Sequence, residues 1–397
     1  MSGATDKVVL PADAGRRASE RPPATGWHRW VPWVLIVLAT IIALVAALNL
    51  WVKRQALSTD NWTNASSQLL ADPEIRNAIS VYMVNQLYDN VDVGQALEER
   101  LPPATKPLGP TIAGALEPAL VQLANNILAR PRLQELWKQA NRRAHRLLIA
   151  LLDGKHELLV STNGNVVLDL RPLLNQFVEQ TGLGERVVAK LPPDAGQLVV
   201  LKGNQLDAAR KTVKVIRVLS FLLTFVVLAM FALAVYLAHG RRRKMLLAAG
   251  SGILIVGLIV LVVRRLAGNY LVDALTNTAD QKVPVSHAWA IGTELLRNVG
   301  INALIYGILV VFAAWVAGPA RPAVWLRRQS APTMRDRPVV VYGLLSVVLL
   351  IVLLAGPTDS ERIYPLLVLF ALAFVGLEVL RRQTMREFPA ASVPGGP

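Results

Sequence analysis

WVPWVLIVLATIIALVAALNLWV, residues 30–52, runs without a charge between Arg29 and the pair Lys53-Arg54. A hydrocarbon core about 30 Å thick needs about 20 helical residues to cross it, so this stretch predicts a membrane span. Its basic flank is like that of a secretory signal. The apolar core, however, is longer than the about 7–15 residues of such a signal, and no small-x-small cleavage site follows, so the segment reads as an uncleaved signal anchor. Arg16-Arg17 lies too far from the core, across mostly polar residues, to mark a twin-arginine signal.

Working outward from this span, uncharged runs recur at Val218–Ala238, Met245–Val263, Asn298–Ala320 and Pro338–Thr358, and a further run, Ile363–Leu380, is interrupted only by Glu378. The expected fold is therefore mainly α: a polytopic membrane protein with six transmembrane helices and a helical extracytoplasmic domain that includes a small β-hairpin or three-stranded sheet. The expected order is a disordered cytoplasmic tail over 1–29, spans at 30–52 and 213–239 enclosing the domain at 53–212, and a loop at 240–244. A span at 245–263, an amphipathic outer segment at 264–297, a span at 298–317 and a loop at 318–338 follow. Spans at 339–357 and 363–380 around an outer turn at 358–362, then a tail at 381–397, complete it.

Charge orients this arrangement. The net charge of +15 is concentrated in the N-terminal tail, Arg241–Lys244, Arg321–Arg337 and the tail from Arg381 through Arg386 to Glu387, which hold 17 cations against five acids. Lys53 to Lys211 has 18 cations and 16 acids and is close to neutral. By the positive-inside rule both termini and the two basic loops are expected in the cytoplasm and residues 53–212 outside, in a bacterial cytoplasmic membrane. This placement accounts for a pI near 10.4 without a nucleic-acid partner. The absence of cysteine excludes disulfides, thiolate nucleophiles and cysteine-based metal sites.

Inside the domain, Asp72-Pro73-Glu74 predicts a helix start, with Asp as N-cap and Pro at the first helical position. Ile75, Ile79, Met83 and Leu87 follow at four-residue spacing and predict one apolar face. Helices are expected over Leu108–Ala129, bent or restarted at Glu117-Pro118, and from Pro131 onward. Asn163-Gly164 between two apolar runs predicts a hairpin, followed by a short helix over Arg171–Thr181 and a strand over Gln197–Leu201. From Gln205 the helical pattern continues without a stop signal into the second span. Tyr270-Leu-Val-Asp-Ala-Leu275 echoes Tyr82-Met-Val-Asn-Gln-Leu87; a true repeat would place both segments in one outer layer.

Two polar clusters are candidate ligand sites. Asp60, Asn61 and Trp62 combine an acid, an amide and an indole suited to a sugar or headgroup, against the alternative of a turn with an interfacial tryptophan. Arg264, Arg265, Asn269 and Asp273, with Asp280, gather just beyond the third span, at a depth where ionisable groups are functional candidates, against the alternative of arginines reaching lipid phosphates beside capping acids. Lys138, Arg142, Arg143 and Arg146 form a basic stripe, and Glu378 reads as an ion-pair partner of Arg381 and Arg382. The histidines show no metal-ligand spacing, and no phosphate loop or nucleophile motif occurs, so no cofactor, metal or catalytic residue is expected.

At Leu57-Ser-Thr-Asp-Asn-Trp62, Leu70-Ala-Asp-Pro-Glu-Ile-Arg76, Tyr82–Val93 and Gly268–Leu275 the chain resembles a family of uncharacterised actinobacterial integral membrane proteins with a large extracytoplasmic domain between the first two transmembrane helices. The resemblance implies a cell-envelope setting and supplies no catalytic or binding residue. The expected function is a non-enzymatic envelope protein displaying a binding domain. A transporter or lipid-handling protein, and an envelope hydrolase or transferase using acids such as Asp89 and Asp92, are the alternatives. Expected partners are the lipid bilayer and either an envelope protein or an anionic lipid or polymer; the oligomeric state is open.

Overall fold

The computed structural model describes residues 27–99, 101–154, 161–162, 165–169, 197–238, 240–354 and 363–388. In chain order the helices are α1 (Trp27–Leu57), α2 (Thr59–Ala71), α3 (Pro73–Asn90), α4 (Val93–Glu98), α5 (Gly109–Leu128) and α6 (Pro131–Leu152). After three short strands come α7 (Gly203–Leu237), α8 (Arg242–Leu275), α9 (Ala279–Gly292), α10 (Glu294–Val316), α11 (Arg321–Asp336), α12 (Pro338–Leu354) and α13 (Ile363–Glu387). The expected disordered tail, the helix over Arg171–Thr181, the outer turn at 358–362 and the last residues of the C-terminal tail lie outside the described residues.

Among the described residues four helices, α1, α7, α8 and α10, are long and apolar enough to cross a membrane. The expectation of six spans is thereby corrected. Helix α12 has 17 residues, short of the about 20 that a perpendicular crossing requires. The described part of α13 becomes polar from Glu378 onward, and α13 packs with α12 against the amphipathic α11. Hydropathy alone does not separate a span from an apolar helix paired with its neighbours.

The four long helices form one bundle, and its tightest contact is between α8 and α10. A Cβ on Gly257 would lie 2.7 Å from the carbonyl oxygen of Gly300 and 2.9 Å from the backbone nitrogen of Leu304. One on Gly307 would lie 2.8 Å from the Leu254 nitrogen and 3.0 Å from the Gly250 oxygen. The pairing of 250 with 307 and of 257 with 300 makes the helices antiparallel with their backbones touching. In lipid, where apolar side chains gain little by leaving the solvent, such close approach through small residues is what holds helices together. Helix α1 lies against both α7 and α8. Its Ile36 and Ala39 are buried with Val227, Phe231, Ala234 and Ala238 of α7 and with Met245 and Ala249 of α8, and the Thr40 hydroxyl occupies the place a Cβ on Gly252 would take. The Asn49 and Ser220 side chains hydrogen-bond at 2.6 Å near one end of the α1–α7 contact.

The helices α2 to α6 form the domain between the first two spans. Asp72 caps α3, accepting from the backbone N–H groups of Glu74 and Ile75 at 3.0 and 3.1 Å, as the sequence predicts. Helix α5 carries Pro118 within one continuous helix. The domain continues into α7 without a break: Arg210 donates to the Leu151 carbonyl at the end of α6, and Arg217 pairs with Asp153 at 2.6 Å. The chain is mainly α, and its described β content is small. The described part of the domain is helical, and extended backbone is confined to Ser161–Thr162, Asn165–Asp169 and Gln197–Lys202, an antiparallel set in the order β1-β2-β3.

Of the predicted apolar face of α3 only Ile75 is covered: the helix buries Ile75, Ser80 and Val84, while Ile79, Met83 and Leu87 are 36%, 51% and 45% exposed. The fully buried Ser80 turns its hydroxyl back onto the Arg76 carbonyl at 2.8 Å, so a small residue faces inward and the larger apolar ones face out.

Gly257→Leu should force α8 and α10 apart and lower the thermal midpoint of the detergent-solubilised protein, since overpacking costs about 1–3 kcal/mol. Gly114→Ala in α5, where a Cβ meets nothing within 4 Å, should leave the midpoint unchanged or raise it. Equal behaviour of the two variants would show that the glycine contact does not hold the bundle.

Candidate functional site

The two candidate clusters occupy different places. Asp60, Asn61 and Trp62 lie in the first turn of α2, immediately after α1 ends, and each has an intramolecular partner. Asp60 pairs with Arg142 of α6 at 2.9 Å, and the Asn61 amide donates to the Arg54 carbonyl at 3.1 Å. Trp62 stacks on His145 of α6 with ring centroids 5.1 Å apart. His145 is 4% exposed and fixes the junction. Its Nε2 lies 3.2 Å from the Ala56 carbonyl, which can only accept, so Nε2 carries the proton and Nδ1 accepts from the Thr59 hydroxyl at 3.1 Å. One neutral imidazole thus joins the end of α1, the start of α2 and the middle of α6. The Trp137 indole, also on α6, donates to the Ser66 carbonyl at 3.0 Å. The cluster is the joint between anchor and domain.

Arg264, Arg265 and Asn269 lie together on α8 and line an open cleft of about 360 Å³ closed by Ser286 and Trp289 of α9 and Arg297 of α10. Arg264 is held by main-chain groups: its Nε donates to the Thr293 carbonyl and hydroxyl at 3.1 and 2.9 Å, and Nη2 reaches the Ala290 carbonyl at 3.3 Å. The Trp289 indole donates back to the Arg264 carbonyl at 3.2 Å and lies over Gly268, where a Cβ would collide with it. Asp273 does not belong to the cleft; it pairs with Lys282 at 2.8 Å across the α8–α9 turn.

Helix α9 packs on α2 and α3, and Asp72 and His287 meet at 2.8 Å. Burial pushes the Asp72 carboxyl up, but the bond to His287 and the α3 N–H groups outweigh it and hold the carboxyl below its ordinary value. The segment between α8 and α10 and the domain between the first two spans therefore share one layer. Asp92, one of the two acids considered for catalysis, caps α4 by accepting from the Gln95 N–H at 2.8 Å.

At the other end of the bundle the structure adds a site that the charge pattern concealed. Arg327 of α11 is 3% exposed. Its Nη1 donates to the carbonyls of Val316 and Gly318 at the end of α10, while Nε and Nη2 reach Glu387 of α13 at 3.0 and 2.9 Å. Arg243 adds a bond to the Ala314 carbonyl at 2.9 Å. These guanidiniums satisfy carbonyls that a helix C-terminus leaves without partners and complement its negative dipole end. The available signal was the spacing of Ala323, Arg327, Ala331 and Met334, a buried stripe in which one member is charged. Glu378 accepts from Tyr342 at 2.6 Å and from Arg382 at 2.7 Å, and Arg381 lies within 3.4 Å, the ion pair read from the sequence. Among the described residues no group of three or more His, Asp or Glu is placed to hold a metal.

Burial holds the His145 pKa below 6.5, outweighing the Ala56 bond that favours the charged ring. The unfolded chain then takes up its proton first as pH falls. The contribution of His145 to stability is complete above pH 6.5 and is lost as pH drops from there toward the folded value. Thermal midpoints measured between pH 8 and pH 5 should fall more steeply below pH 6.5 for the wild type than for His145→Gln. Parallel curves would remove His145 from that role.

Compared with known proteins, the chain matches no family model, no curated protein and no solved structure.

Proposed function

We propose that this is a non-enzymatic cell-envelope protein, a membrane anchor that displays a helical domain for another protein to bind. The observation that carries this reading is the outward stripe on α3. Ile79, Tyr82, Met83 and Leu87 follow one helical face and are 36%, 64%, 51% and 45% exposed. Apolar and aromatic residues gathered on an exposed face mark interaction surfaces, and a tyrosine and a methionine among them suit a protein partner. Of the polar groups considered for chemistry in the same domain, Asp60 and Asn61 are engaged in a joint and Asp92 in a cap. Backbone contact between α8 and α10 favours an anchor over a solute path between those helices.

The orientation follows from charge. With four spans, as with six, an even number of crossings keeps both ends on the cationic side, so the domain and α9 are placed outside and α11 to α13 with the termini in the cytoplasm of a bacterial membrane. The family resemblance, on this reading, places that membrane in an actinobacterial envelope.

The lack of cysteine permits a direct test of orientation. Ser67→Cys in the domain should react with a membrane-impermeant maleimide on intact cells, whereas Ser330→Cys in α11 should react only after lysis; the opposite pattern would invert the topology. For the partner, photocrosslinking from position 83 should capture a specific protein, and the pair Tyr82→Glu and Leu87→Glu should reduce capture by about tenfold or more, as loss of central apolar anchors does. Unchanged capture by the double variant would sink the display reading.

A further inference from the structure

The cleft between α8, α9 and α10 joins three guanidiniums, and no carboxylate is among its lining residues. Among the described residues no ion pair reaches Arg264, Arg265 or Arg297 within 4.0 Å, whereas Asp273, the acid grouped with them in the sequence, pairs with Lys282. Arg264 feels the like charge of Arg297 and the opposite charge of Glu294, so the cleft keeps an excess of positive charge. Its shape is built. Main-chain bonds fix Arg264 in the wall, and the indole of Trp289 is seated on Gly268 in a space that only glycine leaves open. Asn269 adds an amide to the lining.

The depth of the cleft is equally specific. The uncharged run of α8 ends at Val263 and that of α10 begins at Asn298, so Arg264 and Arg297 mark one boundary of the apolar bundle on both helices. Arg217, immediately before the apolar run of α7, and Arg54, just after that of α1, mark the same side. The mouth of the cleft therefore opens where phosphates of the bilayer lie. Guanidinium recognises phosphate by paired, charge-assisted hydrogen bonds, and basic pockets between transmembrane helices are suited to anionic headgroups.

We propose that this cleft binds the phosphate of an anionic phospholipid headgroup, with Arg265 and Arg297 as the contacting cations, Arg264 as the fixed charge behind them and Trp289 as the wall on the domain side. The site is independent of the α3 stripe. Because α9 forms one wall and also touches α2 and α3, an occupied cleft would brace the domain on the bilayer surface.

The test is native mass spectrometry of the full chain in detergent, titrated with phosphatidylglycerol or with zwitterionic phosphatidylcholine, and with inorganic phosphate as a competitor. One phosphatidylglycerol should be retained about tenfold or more tightly than phosphatidylcholine, and Arg265→Gln with Arg297→Gln should remove that preference. Arg143→Gln with Arg146→Gln, on the exposed stripe of α6, should keep it. Failure of millimolar phosphate to displace the lipid assigns the site to a lipid; displacement shows the same phosphate chemistry open to a soluble source. Equal retention of both lipids, or full phosphatidylglycerol preference in the Arg265 and Arg297 variant, overturns the proposal. If that variant does not fold, Glu294→Gln, which removes the one opposing charge, should tighten phosphatidylglycerol binding several-fold, and unchanged binding overturns the proposal as well.

Discussion

The contact of Gly250 and Gly257 with Gly307 and Gly300 is the constraint on which the rest of this structure depends. Water supplies no hydrophobic drive between helices within a bilayer, so α8 and α10 are held by dispersion over a close, shape-matched surface. Glycines seven residues apart recur on the same helix face after two turns, and two such pairs fix the register and the antiparallel sense together. A side chain at any of the four would meet backbone or a branched residue that has little room to move.

That register determines what happens beyond the membrane. Helix α8 runs from Arg242 to Leu275, well past its apolar part, and brings Arg264 and Gly268 to the level where α9 turns back and α10 begins. Trp289 docks on Gly268, Arg264 holds Thr293, and α9 is left with His287 directed at the N-cap of α3. The domain is thus fastened to the bundle at three places: through His145 at the α1–α2 joint, through Arg210 and Arg217 where α6 meets α7, and through Asp72 and His287. Each fastening pairs a side chain with a backbone carbonyl or an opposite charge, so the domain follows the anchor without a hinge at these points.

Much of this was legible in the sequence because it depends on local chemistry. The Asp72 cap, the helix start at Pro131, the continuity of α7 with its span and the Glu378 ion pair follow from residue types at fixed spacing. The four long spans were legible from the absence of charge. Hydropathy could not separate α12 and α13 from true spans, because a 17-residue apolar helix beside an amphipathic partner has the same composition as a crossing one. The exposure of the apolar face of α3 was not legible for a related reason: a stripe of apolar residues shows that one side is apolar, not that anything covers it, and the buried side includes Ser80, a residue with little hydrophobic signal. The glycines of α8 and α10 carry no periodic apolar signal either, and their meaning appears only when the two helices face each other.

The arginines show how one residue type takes two physical roles at opposite ends of the same bundle. At the end of α10, unpaired carbonyls and the negative dipole end of the helix attract cations, and Arg327 and Arg243 turn inward to satisfy them. Glu387 neutralises Arg327, which allows a guanidinium to be buried at 3% exposure. At the start of α10 the dipole has the opposite sign and favours anions instead. Arg265 and Arg297 find no carbonyl row to cap there, and the N-terminal turn carries Glu294, as that end prefers. A cation at the C-terminal end of α10 is stabilised from within the protein, whereas one at the N-terminal end gains most from an anion supplied from outside it. The C-terminal end of α10 is therefore satisfied from within the protein, while the cleft beside its N-terminal end is left open to an anion.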